Sequence, residues 1–258
     1  MILSKIIEEK RREIEKTEKE ITLSMLKKKA EGVYVNSTFK KNISRKGHIN
    51  LIAELKKSSP SQGIIRADFD PVKIALTYQA AGACAISVLT NERFFDGKLE
   101  YLGTVKERVT IPVLRKDFVI DEYQVYETAV AGADAILLIA NILTQEELHR
   151  FFSISKEFGM DVLVEVHNEE EMEKAIASHA SIIGINNRDL STFNVDISVT
   201  QRLIRLIPEN KVIVSESGIT SYEEEMFLKS LGVNAVLIGE TFMRSENIGQ
   251  KVRELMRE

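Results

Sequence analysis

One cysteine, four prolines and no stretch rich in glycine or proline set the first limits on this chain of 258 residues. Cys84 has no partner for an intramolecular disulfide, and its apolar neighbours in 83–89 fit an inert buried thiol. Without a Pro/Gly-rich linker there is no obvious cut between domains. Histidine is sparse: His48, His149, His167 and His179 are scattered, with no HxH or HExxH spacing, so no metal site is expected. His167 is read as lying on the other row from Glu165 and as a cap or surface residue. No apolar run approaches the roughly 18–20 residues of a membrane span. The N-terminus turns charged within a few residues, which leaves no secretory apolar region. A reduced, cytoplasmic setting is expected. A net charge of −4 argues against a nucleic-acid-binding face. GxGxxG, Walker and GxSxG motifs are missing, which removes the usual signals of dinucleotide, P-loop and serine-hydrolase chemistry.

What is present is a repeated alternation. Residues 1–30 read as one mostly solvated helix, with a thin apolar stripe and a stop at Gly32. A polar connection follows, with a short helix near Phe39. From residue 49, short β-branched runs alternate with amphipathic helices. Strands are predicted at 50–55, 83–88, 112–115, 135–139, 161–166, 181–185, 211–215 and 235–238. Helices are predicted to begin near Pro71, Leu99, Glu122, Gln145, Glu169, Ser198, Ser221 and Asn247. Eight βα units imply parallel strands. The chain is therefore expected to be one α/β domain over 1–258, a single (β/α)8 TIM barrel with 1–48 as an N-terminal helical extension. An open doubly wound sheet is the alternative, and it usually needs fewer strands.

In such a barrel the chemistry stands at the C-terminal ends of the strands. Strand 1 ends in Glu54 and Lys56. Strand 3 ends in Lys116, strand 5 in Glu165, strand 6 in Asn186 followed by Arg188, and strand 7 in Glu216. Each of Glu54, Lys116, Glu165, Asn186 and Glu216 continues the apolar row two residues before it, as an inward row would on reaching the mouth. Singly, any of them could be a cap or a rim charge. Together they describe a mouth in which cations face carboxylates, a setting for acid–base chemistry. Ser217-Gly218 and Gly239-Glu240 follow strands 7 and 8, where this fold recurrently binds phosphate; plain turn glycines are the alternative. Lys56 and Ser59 could add donors.

With these positions in hand, the chain resembles the indole-3-glycerol-phosphate synthase family, from about residue 2 to 250. The motifs are IAELKKSSPS at 52–61, SVLTNERFFDG at 87–97, PVLRKDF at 112–118, LVEV at 163–166, GINNRDL at 184–190, SESGI at 215–219 and IGETFM at 238–243. The resemblance implies ring closure, decarboxylation and dehydration of 1-(o-carboxyphenylamino)-1-deoxyribulose 5-phosphate, with no cofactor or metal. It implies Lys116 as the acid for ring closure, Glu165 and Lys56 in the dehydration, and Glu54 as electrostatic partner of the lysines. Asn186 and Glu216 would orient the substrate hydroxyls and the lysine network. Arg188 and Lys56 would meet the anthranilate carboxylate or the phosphate. Ser217, Gly218, Gly239 and Glu240 would hold the phosphate through backbone N–H groups, and Phe95, Phe118 and Leu137 would form the aryl slot. Asn91 and Glu240 depart from the family pattern; Asn91 is expected at a loop rim, and Glu240 is expected to turn its carboxylate outward. A monomer is favoured, with a weak homodimer as the alternative, and no nucleic acid or membrane partner is expected. The rivals are another phosphosugar barrel, such as phosphoribosylanthranilate isomerase, and a silent scaffold. The first usually relies on a Cys/Asp acid–base pair that Cys84 is not placed to supply. The second would be expected to lack Lys116 or Glu165.

Overall fold

The computed structural model describes residues 2–190 and 192–257; Met1 and Glu258, the ends of the expected domain, lie outside them. Eight parallel strands close into a barrel in chain order: β1 (Asn50–Leu55), β2 (Ala85–Leu89), β3 (Val113–Lys116), β4 (Ala135–Ile139), β5 (Asp161–Val166), β6 (Ile182–Asn186), β7 (Val212–Glu216) and β8 (Ala235–Ile238), with β8 pairing back onto β1. The predicted strands are all there, four of them displaced toward the C-terminus by one or two residues. That displacement matters, because it carries Lys116, Asn186 and Glu216 inside the strand ends.

The helices begin where side chains can take up orphaned backbone N–H groups. Asp70, Asp121, Thr144, Asn168, Ser221 and Asn247 each accept from an N–H of the first turn, and Thr144 and Ser221 complete capping boxes with Glu147 and Glu224. Outward rows of the strands bury Leu51, Val88, Ile136 and Val164 against these helices. Inward rows bury Ile52, Ala85, Leu114, Leu163, Ile182, Val214 and Leu237 against one another. Each large aliphatic side chain so buried contributes about 1.5–3 kcal/mol.

Both barrel ends are covered from the N-terminal extension. The extension is not one helix: α1 (Ile2–Glu20) stops, and α2 (Leu23–Ala30) restarts with Thr22 as its cap. A third short helix, α3 (Phe39–Asn42), seats fully buried Phe39, followed by Ile43, in the interior cluster. The Lys40 N–H donates to Asp161 Oδ2 at 3.0 Å, which fixes α3 at the starting end of β5. At the opposite end α1 contributes Ile6 to the same cluster. The expectation of a mostly solvated helix therefore fails for one face of α1. A short antiparallel ribbon, Ser58–Ser59 with Gly63–Ile64, follows β1. Among the described residues no helix is long and apolar enough to cross a membrane.

Candidate active site

The inward rows end in charge. Ile52 leads to Glu54, Leu114 to Lys116, Leu163 to Glu165, Gly184 to Asn186 and Val214 to Glu216, and all five polar residues line one pocket at the C-terminal mouth. Two of these carboxylates occupy space that only a missing side chain leaves. A Cβ on Gly184 would collide with Glu216 Oε1, and one on Gly239 with Glu54 Oε2.

The Lys116 ammonium is central. Its Nζ lies 3.2 Å from Glu165 Oε2 and 3.6 Å from Glu216 Oε2, with its side chain 15% exposed. Burial disfavours the cation, but Glu165, Glu216 and Glu54 outweigh it and raise the lysine well above its usual range. Lys56 pairs with Glu54 at 2.7 Å. Burial works against the Glu54 carboxylate, and Lys56 and Lys116 pull its pKa below the ordinary value. Glu165 and Glu216 diverge. Glu165 is buried too, but Lys116, His167 and Asn186 hold it firmly as a carboxylate. Glu216 is pushed up by burial and by the neighbouring Glu165 charge, against the pull of Lys116. Both Glu216 oxygens and the Ser59 hydroxyl are buried and lack a hydrogen-bond partner among the described residues. The mouth thus holds polar groups with unspent bonding capacity, which native interiors rarely tolerate without a use.

One side of the pocket is apolar. Phe95 and Phe118 stand 6.2 Å apart at 35°, beside Leu137. Ile2, Leu3 and Ile6 of α1 and Ile139 of β4 complete that wall; the sequence placed the first three on a mostly solvated helix. Opposite them lie Ser217, Gly218, Gly239 and Glu240. Ser217 and Gly218 both take left-handed backbone conformations, at φ 67° and 80°, unusual for the serine and suited to turning successive N–H groups toward one point. Arg188 reaches this side, 3.3 Å from Glu240 Oε2. The Glu240 carboxylate is held between Arg188 and Arg244, the latter at 3.1 Å, rather than turned free into solvent. Asn91 is buried instead of at a rim; its Oδ1 accepts from the Phe94 N–H at 3.1 Å and starts a helical turn, Glu92–Phe95.

Two further features were not foreseen. Behind Lys116, Asp117 points away from the barrel axis and joins Lys10 of α1 at 3.1 Å, Arg115 at 3.3 Å and the Thr90 hydroxyl at 2.7 Å. Arg115 also meets Glu127 at 2.7 Å. Burial works against the Asp117 carboxylate, yet Lys10 and Arg115 keep its pKa below the ordinary value. The second is His167. It stands two residues after Glu165, hence on the same face, and its ring lies 3.4 Å from Glu165 Oε1. The assignment to the opposite row and to a cap or surface role is wrong. The signal was available in the spacing of 163, 165 and 167.

Comparison with known proteins adds the family. The model of the indole-3-glycerol phosphate synthase family matches residues 3–255. The indole-3-glycerol phosphate synthase of Acetivibrio thermocellus is 49% identical over 256 residues, 98% of each chain. That of Caldanaerobacter subterraneus subsp. tengcongensis is 52% identical over 249 residues, 95% of this chain and 94% of its own. Among solved structures, 3-hexulose-6-phosphate synthase from Salmonella typhimurium superposes with a TM-score of 0.66 at 13% identity, over 81% of this chain and 97% of that one. At that identity the likeness extends to the barrel alone.

Proposed function

The chain belongs to the indole-3-glycerol phosphate synthase family and has that family's carbon–carbon lyase activity in tryptophan biosynthesis, and from this premise we propose how its mouth residues divide the work. The substrate, 1-(o-carboxyphenylamino)-1-deoxyribulose 5-phosphate, lies with its aryl ring against Phe95, Phe118 and Leu137. Its phosphate meets the Ser217-Gly218 and Gly239-Glu240 backbone, and Lys56, Ser59 and Arg188 supply further donors to its anionic groups. Burial and offset stacking favour the ring in such a slot.

In the first step the aryl carbon that bears the carboxylate attacks the ketone. The new carbon–carbon bond forms as the carbonyl electrons pass to oxygen, and Lys116 Nζ donates its proton to that oxygen. A high-pKa ammonium suffices as the acid, because an alkoxide is more basic than an amine. The carboxyl group then leaves as carbon dioxide and its bonding electrons restore the aromatic ring. Dehydration completes the indole: the hydroxyl departs as water with one added proton, and the adjacent carbon loses a proton. Glu165, held as a carboxylate, takes that proton; Lys56, a cation fixed by Glu54, donates the other. Asn186 and Glu216 orient hydroxyls. Besides making one carbon–carbon bond and breaking another, these steps need only proton transfers and call on no cofactor.

The observation that carries this reading is the position of Lys116. Its ammonium lies between Glu165 and Glu216 at the junction of the apolar wall and the anion-binding side. Lys10 and Ile6 tie residues 1–48 into the barrel, which supports one domain. A buried single cysteine suits a cytoplasmic setting. The chain contains no tryptophan, so the fluorescence of an indole product can be followed against a low background. The parent protein is expected to turn the substrate into that product. Lys116→Ala should lower turnover by at least about a thousandfold, roughly the upper range for a positioned acid, while inorganic phosphate still binds. Full activity in Lys116→Ala would reject the acid assignment.

A further inference from the structure

His167 lies outside the pocket lining, yet two bonds tie it to the Glu171 carboxylate, which two asparagines hold in turn. Its Nδ1 meets Glu171 Oε2 at 2.9 Å, and its own backbone N–H donates to the same oxygen at 2.8 Å. Asn141 and Asn168 donate to the other Glu171 oxygen at 2.6 and 2.8 Å. Glu171 is in turn fixed at the start of its helix, with its N–H bonded to Asn168 Oδ1 at 3.0 Å. A carboxylate only accepts, so the Nδ1 contact requires a proton on Nδ1. The opposite nitrogen, Nε2, is buried, stands 3.4 Å from Glu165 Oε1, and has no hydrogen-bond partner among the described residues. Facing a second carboxylate, it is favoured to carry a proton as well. The two carboxylates on either side of the ring therefore favour an imidazolium between Glu171 and Glu165.

Glu165 is thereby shared by two cations, Lys116 on Oε2 and His167 on Oε1. The two differ in what the reaction asks of them. Once Lys116 gives its proton to the new alkoxide it is a neutral amine, and Glu165 loses that charge partner midway through the reaction. We propose that His167, oriented by Glu171, is the positioning residue that keeps Glu165 fixed and ionised through the step in which Lys116 is neutral. The proposal rests on the division of roles given above. The two carboxylates also raise the histidine to about 10, against the effect of its burial, so the clamp holds at neutral pH. Lys116 is the other cation acting on Glu165, and Glu216 and Glu54 act in turn on Lys116.

The test compares His167→Gln, His167→Ala and Glu171→Gln in the full chain, with kcat and KM followed by product fluorescence from pH 5 to 10. His167→Ala should lower kcat at least tenfold with KM changed less than twofold, and His167→Gln, which keeps a donor without the charge, should recover part of the loss. Loss of the cation raises the carboxyl pKa of Glu165, so the acidic limb of kcat should move to higher pH in both His167 variants. Glu171→Gln keeps the bond to Nδ1 but weakens the clamp, and should move the limb the same way by less. In a Glu165→Gln background, His167→Ala should cost nothing further. An acidic limb that stays in place, or an equal loss in both backgrounds, overturns the proposal, because a merely structural histidine would act independently of Glu165. A parent with no turnover, or a Glu165→Gln variant with full turnover, would instead reject the underlying assignment of roles.

Discussion

Two charge clusters stand back to back on β3, and neighbouring residues feed them. Lys116 faces the barrel axis and meets Glu165 and Glu216; Arg115 and Asp117 face the other way and meet Lys10, Thr90, Gln124, Glu127 and Thr128. By charge and burial the two look alike. They differ in satisfaction. Arg115 spends its donors on five acceptors, and both oxygens of Asp117 are bonded, Oδ1 also to the Phe118 N–H at 2.8 Å. On the other side, both Glu216 oxygens lack a hydrogen-bond partner among the described residues, and Lys116, 3.2 and 3.6 Å from its carboxylates, lines the open pocket. A completed network rigidifies; an incomplete one next to open space is ready to bind. Buried charge by itself distinguishes neither.

The sharpest separation comes from breaking one cluster at a time. Glu165→Gln is expected to lower kcat by about 10²–10⁴, the range for a general base, and, because it leaves Lys116 and His167 beside a neutral amide, to lower the melting temperature at neutral pH as well. Asp117→Asn is expected to cost stability with little effect on turnover. It leaves Lys10 and Arg115 buried beside a neutral amide, a loss of about 3 kcal/mol or more. Thermal unfolding should show that loss, while kcat per folded molecule changes by only a small factor. If Asp117→Asn lost turnover as deeply as Glu165→Gln without melting earlier, the division into a reacting and a structural cluster would collapse.

The same comparison explains what could be read from the sequence. The reacting cluster was legible because its members end apolar rows of period two, and a charge at the end of such a row is anomalous along the chain. Glu54, Lys116, Glu165, Asn186 and Glu216 all carry that mark. The structural cluster carries no such mark. Lys10 is one lysine among many on a Lys/Glu-rich helix, and its partner Asp117 lies 107 residues away. The same gap hid the role of α1. Ile2, Leu3 and Ile6 read as part of a mostly solvated helix, and only the closed barrel shows that they wall the apolar side of the pocket. The break between α1 and α2 also left little trace, since no glycine or proline marks residues 20–23. His167 is a different case, because the period-two rule that found Glu165 applies to it equally.

Within the reacting cluster a finer contrast remains between Glu165 and Glu216. The first is held ionised. The second is pushed up to about 8 by burial and by the Glu165 charge. A carboxyl group with an ordinary value in the unfolded chain and a raised one in the folded protein binds more protons when folded. Its contribution to stability is complete below the unfolded value, about 4.5, and is lost as pH rises through about 8. Glu216→Gln removes that titration while keeping nearly the same shape. The melting temperature of the variant should therefore sit near that of the parent at pH 5 and gain on it steadily toward pH 8, then run parallel. Glu165→Gln should show the opposite trend at low pH, because a depressed carboxyl contributes stability that is present above its unfolded value and lost only as pH falls through the folded one. Two melting curves that respond to pH alike would mean that the two carboxylates share one environment, and the distinct parts assigned to them in the dehydration would have to be redrawn.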